Sequence, residues 1–196
     1  MKEQSYHHGN LREGLIEAGL KILREDGMEN LSLRKAATMC GVSHAAPKTH
    51  FANKKEFEEA IKSHVAKEFA DAMQKIVDDN KDPHKMIQEF GLSYIQYFID
   101  HPDSFMLLLN QKDIEIRASK EHIYDSDYAA FQIFQTHATK LLLKSGVSEK
   151  YIPRRIISLW AIVTGLSALT VMHGFLFEGD WLAMTTSILT GYDNFS

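Results

Sequence analysis

Apolar residues recur at every third or fourth position along almost the whole of this 196-residue chain, and no run shows the strict alternation of a half-buried strand. That spacing restricts the fold class to all-α. Only four prolines interrupt it, and it predicts about nine helices with three short ones gathered near the N-terminus. Leu11, Leu15, Ala18, Ile22 and Leu23 form a first stripe, stopped at Asp26-Gly27. Ser32 can cap a short second helix with Leu33, Ala36, Ala37 and Cys40 on its inner face, and Gly41 permits a tight turn after it. Ser43 can cap a third short helix over about 44–50. Asn53 and Glu56 are spaced as in a capping box that opens a long fourth helix, from Lys54 to about Asp79.

Further on, Asp82-Pro83 opens a helix carrying Met86, Phe90, Tyr94, Tyr97 and Phe98. His101-Pro102-Asp103 breaks it before a short apolar piece that includes Phe105. Residues 110–120 read as a loop or a frayed helix, and 121–144 as a helix closed by Gly146. The last two helices fall at about 149–173 and 180–191.

Composition narrows the class. Hydrophobic residues make up 44% and charged residues 24%, which excludes a disordered tail or a fibre. The single cysteine, Cys40, forbids an intrachain disulfide and suits a reducing, cytoplasmic compartment. The opening residues lack the apolar core of a signal peptide. The stretch 156–177 is the longest candidate for a membrane span, but Ser158, Thr164, Ser167, Thr170 and His173 interrupt it. A buried helix of a soluble protein is expected there, and no membrane partner.

Net charge is −4, which by itself leans away from nucleic acid. Its distribution reverses that lean. Residues 1–64 hold 10 basic and 9 acidic residues, whereas 65–196 hold 12 and 17. Between Glu29 and Glu56 there is no acid, while Arg34, Lys35, Lys48, Lys54 and Lys55 all lie there. This basic window coincides with the second and third short helices and the tight turn between them, the pattern of a helix-turn-helix. A helix entering a major groove needs small or hydrogen-bonding exposed residues, and 44–50 offers His44, Ala45, Ala46, Lys48, Thr49 and His50. His44 either reads a base or simply starts the helix, and His50 suits packing or a phosphate. Arg34, Ser43 and Lys54 suit phosphate contact, the last at a positive helix end.

The segments Tyr6-His7-His8-Gly9-Asn10-Leu11-Arg12, Leu31-Ser32-Leu33-Arg34-Lys35-Ala36-Ala37, Gly41-Val42-Ser43-His44-Ala45-Ala46-Pro47 with His50-Phe51, and Asn53-Lys54-Lys55-Glu56-Phe57 together resemble the TetR family of bacterial transcription regulators. The likeness covers the first third of the chain. Lys48 stands where the family usually has a tyrosine and can meet the same phosphate by charge; Lys55 replaces a frequent glutamate. The resemblance implies a DNA-binding domain at 1–53 and a helical regulatory and dimerisation domain at 54–196. It also implies a homodimer formed through about 149–173 and 180–191, a double-stranded palindromic operator as partner, and repression. The segment Trp160 to Gly165 is similar to a signature of one C-terminal subgroup, with Thr164 in the place of a histidine.

Tyr94, Phe98, Phe105, Tyr128, Phe131, Trp160 and Thr164 are candidates to line a pocket for a small apolar or aromatic effector; for any one of them plain core is the alternative. Gln96, Asn110 and Gln132 could orient such a molecule, and His137 and His173 either line a cavity or sit satisfied in the interior. Cys40 falls on a core face, and His7-His8 lacks companions at metal-ligand spacing. No nucleophile elbow, phosphate loop or catalytic carboxylate pair is present, so no catalytic residue, metal or resident cofactor is expected. The alternative function is a helical ligand-binding or interaction module whose DNA head has degenerated.

Overall fold

The computed structural model describes residues 11–109, 115–119, 123–126 and 128–193, and eight α-helices hold most of them. The all-α expectation holds. The chain divides into two compact units at Val65 and Ala66.

In the first unit, α1 (Leu11–Asp26) and α2 (Leu33–Met39) lie side by side, and the opening turns of α3 (Lys54–Asp79) complete the core. Leu15, Ile22, Ala36, Ala37, Phe57 and Ile61 have no accessible surface, and Leu31, Phe51 and Val65 almost none. Gly19 lets the α1 backbone pass close by: a β-carbon there would lie 2.5 Å from Ile61 Cδ1 and 2.8 Å from Phe57 Cζ. Because Phe57 and Ile61 belong to this core, the compact unit ends at Val65 and not at the start of α3.

Local rules place the ends of these elements. Ser32 caps α2 by accepting the Lys35 N–H at 3.2 Å. After α2, Gly41 takes φ +68°, its N–H bonds Thr38 O at 3.1 Å and the Val42 N–H bonds Ala37 O at 3.0 Å. That double bond is the Schellman ending, which needs the left-handed region that glycine enters without strain. At the start of α3, Asn53 Oδ1 accepts the Glu56 N–H at 3.0 Å, and the Glu56 carboxylate accepts the Ala52 N–H at 2.6 Å. The capping box is therefore present, with its return bond one residue earlier than the standard form.

The third helix expected over 44–50 is not an α-helix. Ala46–Thr49 forms a single 3₁₀ turn after a bend at His44 and Ala45. Pro47 has no N–H to give to Ser43 O, so the segment closes with shorter bonds, Ala46 N–H to Ser43 O at 3.0 Å and Lys48 N–H to Ala45 O at 3.1 Å. Ser43 is correspondingly not its side-chain cap; the turn begins after Ala45, without any side-chain cap.

In the second unit, α4 (Pro83–Asp100) is central and packs against α5 (Pro102–Leu109), α6 (Ala129–Lys144), α7 (Ile152–Val171) and α8 (Trp181–Asp193). Asp82 caps α4 through the His84 N–H at 2.9 Å, with Pro83 in the first turn as expected. Two further expectations need correction. The region read as loop and helix from 110 to 128 contains a small antiparallel ribbon, β1 (Ile116–Ala118) with β2 (Ile123–Ser126), and α6 starts only at Ala129. Strands of three and four residues are too short to show a period of two in the sequence. The helix expected to be buried over 156–177 ends at Val171, and only 22% of its most apolar window is buried within the chain. By length and composition Glu149–Val171 is the one segment among the described residues that is long and apolar enough to cross a membrane.

Candidate nucleic-acid interface

The residues proposed from the sequence for DNA contact all fall in the first unit, around the Gly41 turn. Arg34 on α2, Ser43, His44 and Ala45 in the bend, Lys48 and Thr49 in the 3₁₀ turn and Lys54 at the head of α3 are exposed; Ala46 and His50 are half-buried. What anchors the turn is Pro47, buried, and Phe51, whose ring lies 5.1 Å from that of Phe57. Val42, just after the Gly41 turn, is half-buried. The Thr49 hydroxyl donates back to Ala46 O at 2.8 Å, which stiffens the turn.

The five cations of the acid-free window are not equivalent. Lys35 is paired with Asp26, Lys54 lies 3.7 Å from Glu58, and Lys55 lies 3.5 Å from Glu59. Arg34 and Lys48 make no ion pair among the described residues. They are the window's uncommitted positive charges, on either side of the turn. Such exposed pairs exchange readily with a phosphate partner, since each is worth about 0–1 kcal/mol. Lys54 therefore stays available at modest cost.

Two relationships in this unit have no sequence signature. Thr38 Oγ1 donates to Arg34 O at 3.1 Å and meets His44 Nε2 at 3.2 Å, tying α2 to the bend. The Arg12 guanidinium lies 5.4 Å from the Phe51 ring centroid, a cation–π contact that holds α1 to the segment after the turn. Cys40 is buried and its thiol is pushed above the ordinary range by desolvation, in keeping with a core role. His7, His8 and Asn110 lie outside the described residues, as does most of the Tyr6–Arg12 lead-in. Among the described residues no three His, Cys, Asp or Glu side chains gather as a metal site.

In the second unit the expected pocket aromatics do come together, but chiefly as packed core. Tyr94, Phe98, Phe105, Tyr128 and Phe131 are buried. Tyr94 meets Trp160 at 5.1 Å between ring centroids and Phe98 at 5.2 Å, and Phe98 meets Phe105 at 5.0 Å. Trp160 is also within 5.0 Å of Phe131 and 5.8 Å of Tyr128. Burial raises the Tyr94 phenol to about 12 against the pull of its Thr164 partner, and raises Tyr128 further, helped by Tyr94 and Tyr97. Among the described residues the Tyr128 hydroxyl has no hydrogen-bond partner.

Cavities open on this unit between β2, α6 and α7, beside α4 and α8, and between β1 and α7, and none of these three is lined by Tyr94, Phe98, Phe105 or Tyr128. An almost wholly apolar groove of about 500 Å³ instead runs between β1 and α7, lined by Ile116, Ala118, Phe131, Ile157, Trp160, Ala161, Thr164 and Gly165. It retains three of the seven expected residues, Phe131, Trp160 and Thr164; the ribbon that forms its far wall was not foreseen. A cavity of about 580 Å³ lies between β2, α6 and the start of α7, and one of about 350 Å³ beside α4 and α8. Gln96 is engaged with Asp100 and Gln132 with the Ser126 carbonyl, so neither is aimed at a ligand. His137 is half-buried, its imidazole pushed below the ordinary range by desolvation and by Lys140 against the opposing pull of Asp78, and His173 is exposed beyond the end of α7.

Comparison with known proteins supplies the context. The chain is 26% identical over 141 residues to the HTH-type nicotine-responsive transcriptional repressor HdnoR of Paenarthrobacter nicotinovorans, covering 71% of each chain. A solved protein of unknown function from Rhodococcus sp. RHA1 superposes with a TM-score of 0.79 at 23% identity, over 97% of both chains. A TetR transcription regulator from Haloarcula marismortui ATCC 43049 superposes with a TM-score of 0.67 at 17% identity, over 94% of this chain and 97% of that one. The fold is that of the TetR regulators. The resemblance carried by the first third of the sequence extends, as fold, over nearly the whole molecule. No family model matches the chain. The Gly41 turn and the 44–50 segment lie in the first unit, and α4 to α8 form the larger helical body of the second.

Proposed function

We propose that this chain is a dimeric, ligand-responsive transcriptional regulator, acting as a repressor, whose 44–50 segments read the two halves of a palindromic operator. The observation that carries the reading is the coincidence of the acid-free window with a capped, Schellman-ended turn that leaves Arg34 and Lys48 exposed and without an ion pair among the described residues. Arg34, Ser43, Lys48 and Lys54 would hold phosphates, and His44, Ala45, Ala46 and Thr49 would face base edges, with His50 packing beside them. Half-sites should lie about one helical turn apart or somewhat more. The likeness to a transcriptional repressor supports the sign of regulation. A DNA-binding role of this kind places the protein in the cytoplasm and asks no catalysis of it.

Dimerisation is supported by α7 and α8. Ile157, Ala161 and Gly165 follow one another at four-residue spacing on the exposed face of α7, and Met184 is exposed on α8. An apolar face of this kind on a helix is covered in a soluble protein by a second molecule. Its proposed cover is the same face of another copy, making a four-helix bundle. The effector would be a small apolar or aromatic molecule, received in the groove beside Phe131, Trp160 and Thr164 at the edge of that dimer face, with the second copy closing it over Ile157, Ala161 and Gly165. It would act only through unequal affinity for the DNA-competent and DNA-incompetent arrangements.

The deciding experiment is binding to duplex DNA from around the protein's own gene as salt is varied. Lys48→Ala, Arg34→Ala and Lys54→Ala should each weaken binding to all sequences and reduce the slope of log affinity against log salt by about one unit. Absence of salt-sensitive binding in the unaltered protein would leave the helical ligand-binding or interaction module with a degenerate head as the better reading.

A further inference from the structure

We propose that His44 reads its base as a hydrogen-bond acceptor, because Thr38 fixes the imidazole proton on Nε2. This rests on the DNA-binding reading of the 44–50 segment and specifies what that segment prefers. Thr38 Oγ1 lies 3.1 Å from Arg34 O and 3.2 Å from His44 Nε2. A threonine hydroxyl has one hydrogen to give and lone pairs to receive with. On a helix that hydrogen goes to the carbonyl four residues back, here Arg34 O. The lone pairs are then left for His44 Nε2, which must donate. If the hydroxyl instead turned its hydrogen to an unprotonated Nε2, one hydrogen bond would form where the first arrangement makes two.

The neutral ring thus carries its hydrogen on Nε2 and keeps a lone pair on Nδ1. His44 is exposed, and Nδ1 has no partner among the described residues. The Schellman bonds of the Gly41 turn hold α2 and the bend together, so the Thr38–His44 spacing is set by the backbone and not by two free side chains. In the major groove a lone-pair acceptor matches the exocyclic amino groups of cytosine and adenine. It is repelled by the acceptors of guanine and by thymine O4. Ala45 and Ala46 beside it have no polar side-chain atom to blur that preference. Thr38 is a positioning residue: it acts on the base through the ring of His44.

Two measurements test this. In nitrogen NMR of the free protein with labelled imidazoles, at a pH where the ring is neutral, His44 should show a pyrrole-type Nε2 and a pyridine-type Nδ1. Thr38→Val should move both toward a tautomer mixture, and Thr38→Ser should not. A pyrrole-type Nδ1 in the unaltered protein would overturn the assignment whatever the DNA results. In selection from a randomised duplex pool, the position whose preference His44→Ala erases should be cytosine or adenine in the unaltered protein. Thr38→Val should relax that preference roughly two- to tenfold, the worth of one hydrogen bond, with Thr38→Ser retaining it and salt-dependent binding to unselected duplex unchanged in both Thr38 variants. Selection of guanine or thymine there, or a preference indifferent to Thr38→Val, would refute the proposal. Loss of all duplex binding in the unaltered protein would defeat the DNA-binding reading itself, and the base preference with it, while the nitrogen spectra still decide where the proton sits.

Discussion

The hydroxyl of Tyr94 on α4 lies 3.3 Å from Thr164 Oγ1 on α7, joining two helices that are 70 residues apart in sequence. Tyr94 is fully buried, and its ring stands edge-on to Trp160 at 5.1 Å. The second unit's central helix is therefore fastened to α7 by one polar bond inside an aromatic cluster. Removing it with Tyr94→Phe should lower stability by about 0.5–1.5 kcal/mol, seen as a lower urea midpoint at unchanged slope.

The same residue predicts an alkaline weakness. Its phenol is raised from 10.0 to about 12 in the folded chain, so the unfolded chain loses that proton first. The neutral, buried phenol stabilises the fold fully below about pH 10, and that contribution is lost as pH climbs toward about 12. Urea titrations across this window should show falling stability in the unaltered protein and a shallower fall in Tyr94→Phe.

In the first unit, Gly19→Ala should destabilise despite the better helix propensity of alanine. Propensity returns about 1 kcal/mol, whereas forcing a methyl against Ile61 and Phe57 in a packed core costs about 1–3 kcal/mol. Ile61→Val removes the Cδ1 atom that the new methyl would strike at 2.5 Å. The double variant should therefore be less destabilised than the two single losses combined, and calorimetry of the four proteins measures that coupling.

Cys40 should react slowly with thiol reagents in the native protein and at the free-thiol rate once unfolded. Burial both shields it and disfavours the thiolate that reacts. Rapid native labelling would show that α2 opens locally far more often than its buried inner face allows.

Ala161 tests the proposed dimer. It is exposed on α7 within the line Ile157, Ala161, Gly165, so Ala161→Glu should leave helix content intact. Sedimentation should show a monomer where the unaltered protein is a dimer, and operator affinity should fall because the two reading heads are no longer tethered. A dimer that survives the charge would place the interface elsewhere.

Much of this molecule is local in origin and was legible in the sequence. The spacing of Leu15, Ala18 and Ile22, the Ser32 cap, the Asn53–Glu56 box, Pro83 in the first turn of α4 and the left-handed Gly41 are decided within a few residues, by periodicity and backbone sterics. So is the acid-free window, which composition alone fixes. The outcomes that needed the tertiary structure depend on which residues distant in sequence become neighbours. The missing Pro47 N–H makes the 3₁₀ turn locally, but the burial of Pro47 and Phe51 against the first unit's core is tertiary. The ribbon of β1 and β2 pairs strands too short to show a pattern, and it makes a groove with α7 that no single segment encodes. Which aromatics also line that groove was decided by ring against ring: Tyr94 and Phe98 on α4 and Phe131 on α6 are all buried, but of the three only Phe131 lies along the groove. Hydrophobic spacing tells a side chain to leave water; only the packed structure determines what it meets when it does.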